Sequence, residues 1–128
     1  MAKGIEIRDA HFPGRAPIDA YGNGGFRFAD MSHRGSILCL PSGIYGWNAE
    51  EGSALTPELF ARVMADAEGI EVLLVGTGRE LRPLPATLKA AFREKGIGSD
   101  PMSTGAAVRT FNIMLSESRA VAAALIAV

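Results

Sequence analysis

The spacing of apolar residues along the chain alternates between stretches that suit strands and stretches that suit helices. The clearest stretch is residues 71–75, where Glu71 is followed by four consecutive aliphatic residues, between Gly69 and Gly76. A short unbroken aliphatic run bounded by glycines is typical of a strand that is buried on both faces. We therefore predict a central strand here, covered by the rest of the chain.

The first forty residues have the pattern of β-structure. Residues 5–8 alternate charged and apolar side chains, and residues 36–40 form a second apolar run with the length of a strand. Residues 18–28 predict a β-hairpin, because a glycine-rich turn that can adopt positive φ leads into the alternating sequence Phe26-Arg27-Phe28. An uncovered outer face of this hairpin would offer an interface.

Residues 41–53 show neither the alternation of a strand nor the spacing of a helix, so we predict a loop that carries Tyr45 and Trp47. Loops on a rigid scaffold often carry binding residues, which makes Trp47 a candidate ligand contact. The alternative is that the indole folds back and caps the end of the sheet. Both interpretations are open on the sequence alone.

Three segments have helical spacing. The first begins at Thr56, whose hydroxyl can cap a helix that has Pro57 at its first position. The second runs over about residues 85–96 and ends at a glycine. The third has Ser103 or Thr104 as its cap.

The order of these elements predicts a parallel pair of strands. The central strand, the second helix and a brief strand at residues 97–99 form a strand-helix-strand unit, and such crossovers are right-handed with parallel strands. Residues 120–128 have two possible structures. Their alanines favour a helix, whereas their length favours a buried final strand. The whole pattern favours a single α/β domain over residues 1–128, with helices packed on a central sheet and a β-hairpin region near the N-terminus.

The carboxyl ends of the parallel strands give a candidate ligand site. Ligands of parallel α/β sheets bind outside these ends, so the loops at residues 76–79 and 102–105 should emerge on the same side. One loop offers glycine amides and a guanidinium, possibly joined by Arg82, and the other offers hydroxyls at a helix N-terminus, a combination that can bind a small anion such as a phosphorylated metabolite. The alternative is that the glycines only turn the chain and the hydroxyls only cap a helix. The candidate residues are Gly76, Thr77, Gly78, Arg79, Ser103, Thr104 and Gly105, with Trp47 as a further one.

Composition and charge narrow the range of partners and compartments. Lys and Arg total 13 against 14 for Asp and Glu, a net charge of −1, which argues against binding to nucleic acid. The longest apolar run, residues 120–128, is far shorter than the roughly 20 residues of a membrane-spanning helix, so we expect no membrane insertion. The N-terminus has no secretory signal pattern, and the single cysteine, Cys39, lies in an apolar strand as a buried thiol. We expect a soluble, cytoplasmic protein.

The usual catalytic and metal-binding patterns are absent from the sequence. His11 and His33 are the only histidines, they have no metal-ligand spacing with Cys39, and no nucleophile motif occurs. We expect both histidines to be surface or turn residues. The sequence therefore predicts no catalytic residue, no metal and no cofactor, and an unrecognised enzyme is kept only as part of the alternative to a non-catalytic protein.

Four motifs together resemble a small family of domains of unknown function. Its mitochondrial members include an assembly factor for respiratory complex I, and its animal members include an adipogenesis-associated protein. The motifs span nearly the whole chain and are Tyr21-Gly22-Asn23-Gly24-Gly25-Phe26-Arg27-Phe28, Gly35-Ser36-Ile37-Leu38 with Trp47, Leu73-Leu74-Val75-Gly76-Thr77-Gly78, and residues 102–112 with the sequence MSTGAAVRTFN.

The resemblance implies a three-layer α/β fold around a mixed sheet, in which residues 120–128 form a last strand antiparallel to the others. The chain looks like a bacterial-type member, because it lacks a mitochondrial presequence. The family supplies no agreed catalytic residues, but it favours a role in assembly through an unknown protein partner. A small anionic ligand is the alternative, and the sequence does not distinguish a monomer from a homodimer.

Overall fold

The computed structural model describes residues 10–128, which form two β-sheets and three α-helices. The strands are β1 Ala10–Pro13, β2 Ala20–Gly22, β3 Gly25–Phe28, β4 Met31–Arg34, β5 Ser36–Leu40, β6 Gly43–Trp47, β7 Val72–Gly76, β8 Gly98–Met102 and β9 Val121–Leu125. A six-stranded mixed sheet has the order β1-β6-β5-β9-β7-β8, and a three-stranded antiparallel sheet has the order β2-β3-β4. The expected strand at residues 5–8 lies outside the described residues.

The helices begin close to the residues that were predicted to start them. A 3-10 turn, Pro57–Phe60, precedes the short helix α1, Ala61–Ala65, and the Thr56 hydroxyl accepts a hydrogen bond from the amide of Leu59. Helix α2 covers Ala86–Glu94 and helix α3 covers Thr104–Ser116. Ser103 is the cap of α3, since its hydroxyl accepts from the amide of Ala106 at 3.3 Å. The predicted helices are confirmed, although the first is shorter than its pattern suggested.

Both faces of the six-stranded sheet are covered, as alternation along the strands requires. Leu73 and Val75 of β7 lie in one hydrophobic cluster with residues of α1 and α2. Leu74 points to the opposite cluster, where α3 and the three-stranded sheet pack. Phe26 and Phe28 of β3 share that second cluster, so the predicted hairpin buries its two phenylalanines on one face. The three-layer α/β architecture is confirmed.

Residues 121–125 form the strand β9, which settles the ambiguity of the C-terminal run. β9 is hydrogen-bonded on both sides, to β5 and to β7, and all of its side chains are buried. Pairing on both sides satisfies the backbone, which outweighs the helical preference of alanine. The expected antiparallel orientation holds for the pairing with β5, but β9 is parallel to β7.

The prediction of a loop over residues 41–53 is wrong, because residues 43–47 form the strand β6. Two glycines broke the alternating pattern, and both have close neighbours, with the backbone of Phe12 requiring glycine at position 43. A Cβ on Gly43 would lie 2.6 Å from the carbonyl oxygen of Phe12, and one on Gly46 would lie 3.2 Å from Nε2 of His11. Glycine within a strand commonly marks such a close approach.

Strand β4 and the extension of β8 were not predicted. β4, Met31–Arg34, has three polar residues after Met31, and β8 continues through Pro101 to Met102 instead of ending at residue 99. Proline weakens a strand pattern, yet it is tolerated in an edge strand such as β8, where its nitrogen needs no partner. His33 therefore lies in a strand and not in a turn, while His11 is exposed on β1.

Candidate functional site

The predicted convergence of the two loops is confirmed. β7 and β8 are parallel, with Gly76 paired to Met102, so the chain leaves both strands at the same end of the sheet. Leu125 of β9 pairs with Gly76 as well. Trp47 lies at this end too, because β5 pairs Ile37 with Leu125 and the neighbouring Ser36 with Trp47.

Helix α3 rests directly on the end of β7 through Gly76. A Cβ on Gly76 would lie 2.9 Å from Cα of Thr104 and 3.2 Å from Cβ of Ala107. A contact this close to a backbone atom excludes any larger residue unless the helix moves. Gly76 therefore sets the distance between the sheet and the start of α3.

Thr104 joins three segments at this junction and is fully buried. Its hydroxyl accepts a hydrogen bond from the amide of Gly78 at 3.1 Å and donates one to the carbonyl oxygen of Ile126 at 2.7 Å. Its own amide donates to the carbonyl oxygen of Gly78 at 2.8 Å. A hydroxyl has one proton to donate, and Thr104 uses it within the chain.

Thr77 is also buried and has several partners inside the chain. Its hydroxyl lies 2.8 Å from the carbonyl oxygen of Glu80 and 3.2 Å from that of Met102. The same oxygen accepts from the amide of Arg82 at 2.8 Å. These bonds shape the turn that follows β7.

Arg79 faces a carboxylate of the same chain. The amide of Arg79 donates to Oε2 of Glu51 at 2.6 Å, and its guanidinium pairs with Oε1 of that side chain. The guanidinium of Arg82 donates to the carbonyl oxygen of Ser53 at 3.1 Å, which holds the same loop. Sequence reasoning did not identify Glu51, because it lies 28 residues from Arg79 in an irregular loop. The loop predicted to hold an anion thus holds a carboxylate that the chain itself supplies.

Trp47 contacts the first helical segment. Its indole nitrogen donates to the carbonyl oxygen of Leu59 at 2.8 Å, and its ring lies 5.2 Å from that of Phe60. The side chain is half-buried. These contacts correspond to the second interpretation of Trp47, in which the indole packs against the fold.

Gly105 brings two of the sequence motifs together. A Cβ at this position would collide with the phenol oxygen of Tyr21, which reaches across from β2 to the first turn of α3. Arg109 lies one turn further along the same side of the helix. Tyr21 keeps 41% of its surface exposed, so this contact holds the ring at the surface. Nothing in the residue spacing linked Tyr21 to Gly105.

The two histidines and the cysteine have separate environments. The rings of His11 and His33 lie 4.5 Å apart over β6. Partial burial and, to a smaller extent, the nearby His11 lower the pKa of His33, while hydrogen bonding at the Ser36 backbone opposes the shift. Cys39 is buried, as predicted, and burial raises the pKa of its thiol far above its ordinary value. Among residues 10–128, no group of three or more His, Cys, Asp or Glu side chains is placed to hold a metal ion.

The family model described as a protein of unknown function, DUF498/DUF598, matches residues 18–126. The chain belongs to this family. The match begins just before β2 and ends just after β9, so it includes the three-stranded sheet, both candidate loops and Tyr21. The family resemblance inferred from the four motifs is therefore confirmed.

Two relatives show the range of this DUF498 member's similarities. An uncharacterised protein of Rhodobacter capsulatus is 36% identical over 119 residues, which cover 93% of this chain and 90% of that protein. NADH dehydrogenase (ubiquinone) 1 alpha subcomplex assembly factor 3 of Mus musculus is 31% identical over 122 residues. That alignment covers 95% of this chain but only 66% of the assembly factor, which has further sequence of its own.

A solved structure supports the family's fold. The crystal structure of an outer membrane protein from Bartonella henselae is 64% identical and superposes with a TM-score of 0.86. The aligned residues make up 91% of this chain and 98% of the Bartonella henselae chain.

In the described part of our DUF498 member, none of the helices has the length and apolar character needed to cross a membrane.

Proposed function

We propose that this protein is a non-catalytic interaction module that assists the assembly of a protein complex. The observation that carries the proposal is the 31% identity to a complex I assembly factor over 95% of the chain. The partner is a protein, in keeping with the assembly role that the name of that relative states. Because the assembly factor is longer, the proposal concerns the shared domain and does not transfer the relative's particular complex.

The polar groups of the converging loops are engaged by the chain itself, which favours a non-catalytic protein. The hydroxyl protons of Thr77 and Thr104 are directed at backbone carbonyls, so neither hydroxyl is activated by a neighbouring base. Arg79 is paired with Glu51. These groups stabilise the junction between β7 and α3, which is a structural task.

The test is affinity capture from native lysate of the source organism with the tagged full chain as bait. We expect at least one protein to be retained reproducibly and to be released by excess untagged chain. Release by competition separates a specific partner from proteins that bind the matrix. Recovery of no competed protein after mild cross-linking would contradict the proposal.

An alternative function, favoured by one contact, is the binding of a small anion at the loops after β7 and β8. The amide and guanidinium of Arg79 already bind the carboxylate of Glu51, so this loop has the donors for a carboxylate or phosphate. An external anion would take the place of Glu51. Ser103 and Gly105 would line the site at the start of α3, the buried Thr104 would hold the Gly78 turn in place, and Trp47 lies at the same end of the sheet.

Calorimetry with inorganic phosphate and small dicarboxylates tests this alternative. Glu51→Gln should strengthen binding because it removes the competing charge, whereas Arg79→Ala should abolish it. Glu94→Gln, on the exposed end of α2, makes the same change of charge elsewhere and should leave binding unchanged. If neither Glu51→Gln nor the parent chain binds an anion, the proposal of an anion site is wrong.

We also propose that the protein acts in the cytoplasm. The proposal rests on the buried, unpaired Cys39, which suits a reducing compartment. Fractionation of the source cells, with detection of the untagged protein, tests it. Recovery in the membrane or periplasmic fraction would contradict this localisation.

A further inference from the structure

The outer face of the three-stranded sheet forms an open groove of about 420 Å³. Phe26 and Phe28 turn to the core, so Arg27 between them points to the opposite, outer side. Cross-strand pairing puts Ser32 beside Arg27, and Arg34 beside Gly25, on that same side. The outer-face residues of the groove are Ala20, Gly22, Gly25, Arg27, Ser32 and Arg34.

The charge of this groove has one sign. Arg27 and Arg34 are diagonal neighbours on adjacent strands, and both are exposed. Within the described chain, Arg27 donates a 3.4 Å hydrogen bond to the hydroxyl of Ser32, and neither arginine has a carboxylate partner. The residues that line the groove include no Asp or Glu. Two like charges side by side repel each other, and an acidic segment bound in the groove would replace that repulsion with attraction.

The floor of the groove admits a polypeptide backbone. Ala20 and Gly22 of β2 are small, and a Cβ on Gly22 would meet no atom within 4 Å, whereas Gly25 is closed in by the backbone of His33 and Arg34. Glycines on a sheet surface are sites where another backbone can approach closely. An open groove suits an extended segment better than a small ion, which needs donors converging on one point.

Tyr21 lines one edge of the groove, on the strand β2. It pairs with the inward-facing Phe26, so its side chain turns to the opposite side of the sheet from Arg27, where its phenol lies against Gly105. Arginine is a residue type that is enriched where protein partners bind most strongly. The groove therefore combines two arginines with the small residues of β2.

We propose that this groove, bordered by Tyr21, Arg27 and Arg34, binds an acidic extended segment of a partner protein. The inference rests on the proposed interaction function and names the surface and the partner's chemistry. Glutamates or aspartates of the segment pair with the two guanidinium groups. The segment's backbone lies over Ala20 and Gly22.

The probe is an oligo-glutamate peptide, titrated into the isotope-labelled full chain while backbone amide shifts are followed. We expect shifts concentrated on residues 20–34, and an affinity that falls as salt is added. Arg27→Glu with Arg34→Glu should weaken the affinity at least tenfold. The neutral pair Arg27→Gln with Arg34→Gln should give a smaller loss, and this pair decides the outcome if the reversed pair does not fold.

The matched control reverses two other exposed basic residues, Lys89 and Arg93 of α2. Lys89→Glu with Arg93→Glu makes the same change in net charge and should leave the affinity within about twofold of the parent. Equal losses in both double variants would show an effect of net charge alone and would overturn the proposal. Inorganic phosphate that produces the same shifts and displaces the peptide would overturn it in favour of a small-anion site.

Capture from lysate separates this inference from the proposed function. Suppose that excess untagged chain releases a partner from the parent chain, and that the variant with both arginines reversed retains this partner equally well. The proposed interaction function is then supported, and the proposal that the groove binds the partner is wrong. If the reversed variant loses the partner and the Lys89 and Arg93 control keeps it, both are supported. Peptide shifts away from residues 20–34 would overturn the groove whatever the lysate shows.

Discussion

Gly78 and Thr104 hold each other through a reciprocal pair of hydrogen bonds. The Thr104 amide donates to the Gly78 carbonyl at 2.8 Å, and the Gly78 amide donates to the Thr104 hydroxyl at 3.1 Å. The hydroxyl also donates to Ile126. The turn after β7, the start of α3 and the end of β9 are therefore linked through one side chain.

The first prediction concerns this link. Thr104→Ala removes both hydroxyl bonds and leaves the Gly78 amide and the Ile126 carbonyl without partners at a buried position. We expect a loss of about 2–4 kcal/mol in the free energy of unfolding, because each unsatisfied buried group costs about 1–3 kcal/mol. Urea denaturation measures the loss.

Ser103→Ala is the matched control, since Ser103 only caps α3. It should cost about 0.5–2 kcal/mol, and Thr104→Ser should restore most of the stability lost in Thr104→Ala. If Thr104→Ala costs no more than Ser103→Ala, the hydroxyl does not join the three segments in solution.

The sequence predicted the elements whose patterns are uninterrupted. Residues 72–75 are aliphatic without a break, and the rule for parallel strands then placed the loops at Gly76 and Met102 together. β6 was missed because Gly43, which the Phe12 backbone requires, and Gly46, which lies beneath the two histidine rings, erase the alternation. The C-terminal run is decided by pairing with β5 and β7, and no local pattern contains that information.

The candidate site was predictable in position but not in content. Topology brings the two loops together, but the partners of their polar atoms come from distant segments. Glu51 reaches Arg79 from an irregular loop, and Ile126 reaches Thr104 from the end of β9. Such contacts depend on tertiary packing, which residue spacing does not encode.

The second prediction tests the central strand. Leu74→Ala should lower the free energy of unfolding by about 2–5 kcal/mol, because Leu74 is 1% exposed and packs beneath α3 and the three-stranded sheet. Leu81→Ala makes the same change at a residue that is 58% exposed and should cost less than about 0.5 kcal/mol. Similar losses for the two variants in chemical denaturation would be incompatible with the burial of β7.

The third prediction concerns the pair formed by Glu51 and Arg79. Their side chains are 36% and 71% exposed, so a double-mutant cycle with Glu51→Ala and Arg79→Ala should give a coupling energy below about 1 kcal/mol. The coupling should weaken as salt is added, because exposed pairs are screened. A coupling that is several times larger and insensitive to salt would mean that the pair is a main support of the fold.

The fourth prediction is a pH dependence of stability that originates at His33. The pKa of His33 is lowered in the folded chain, so between its ordinary value of 6.5 and the folded value the unfolded chain binds the proton more tightly. The stabilising contribution is fully present above pH 6.5 and is lost as the pH falls through that window.

The free energy of unfolding, measured at several pH values, should depend less steeply on pH in His33→Gln than in the parent chain. His11→Gln should reduce the slope only partly, because burial lowers the pKa of His33 more than the charge of His11 does. Equal slopes in the parent chain and His33→Gln would assign the dependence to other groups.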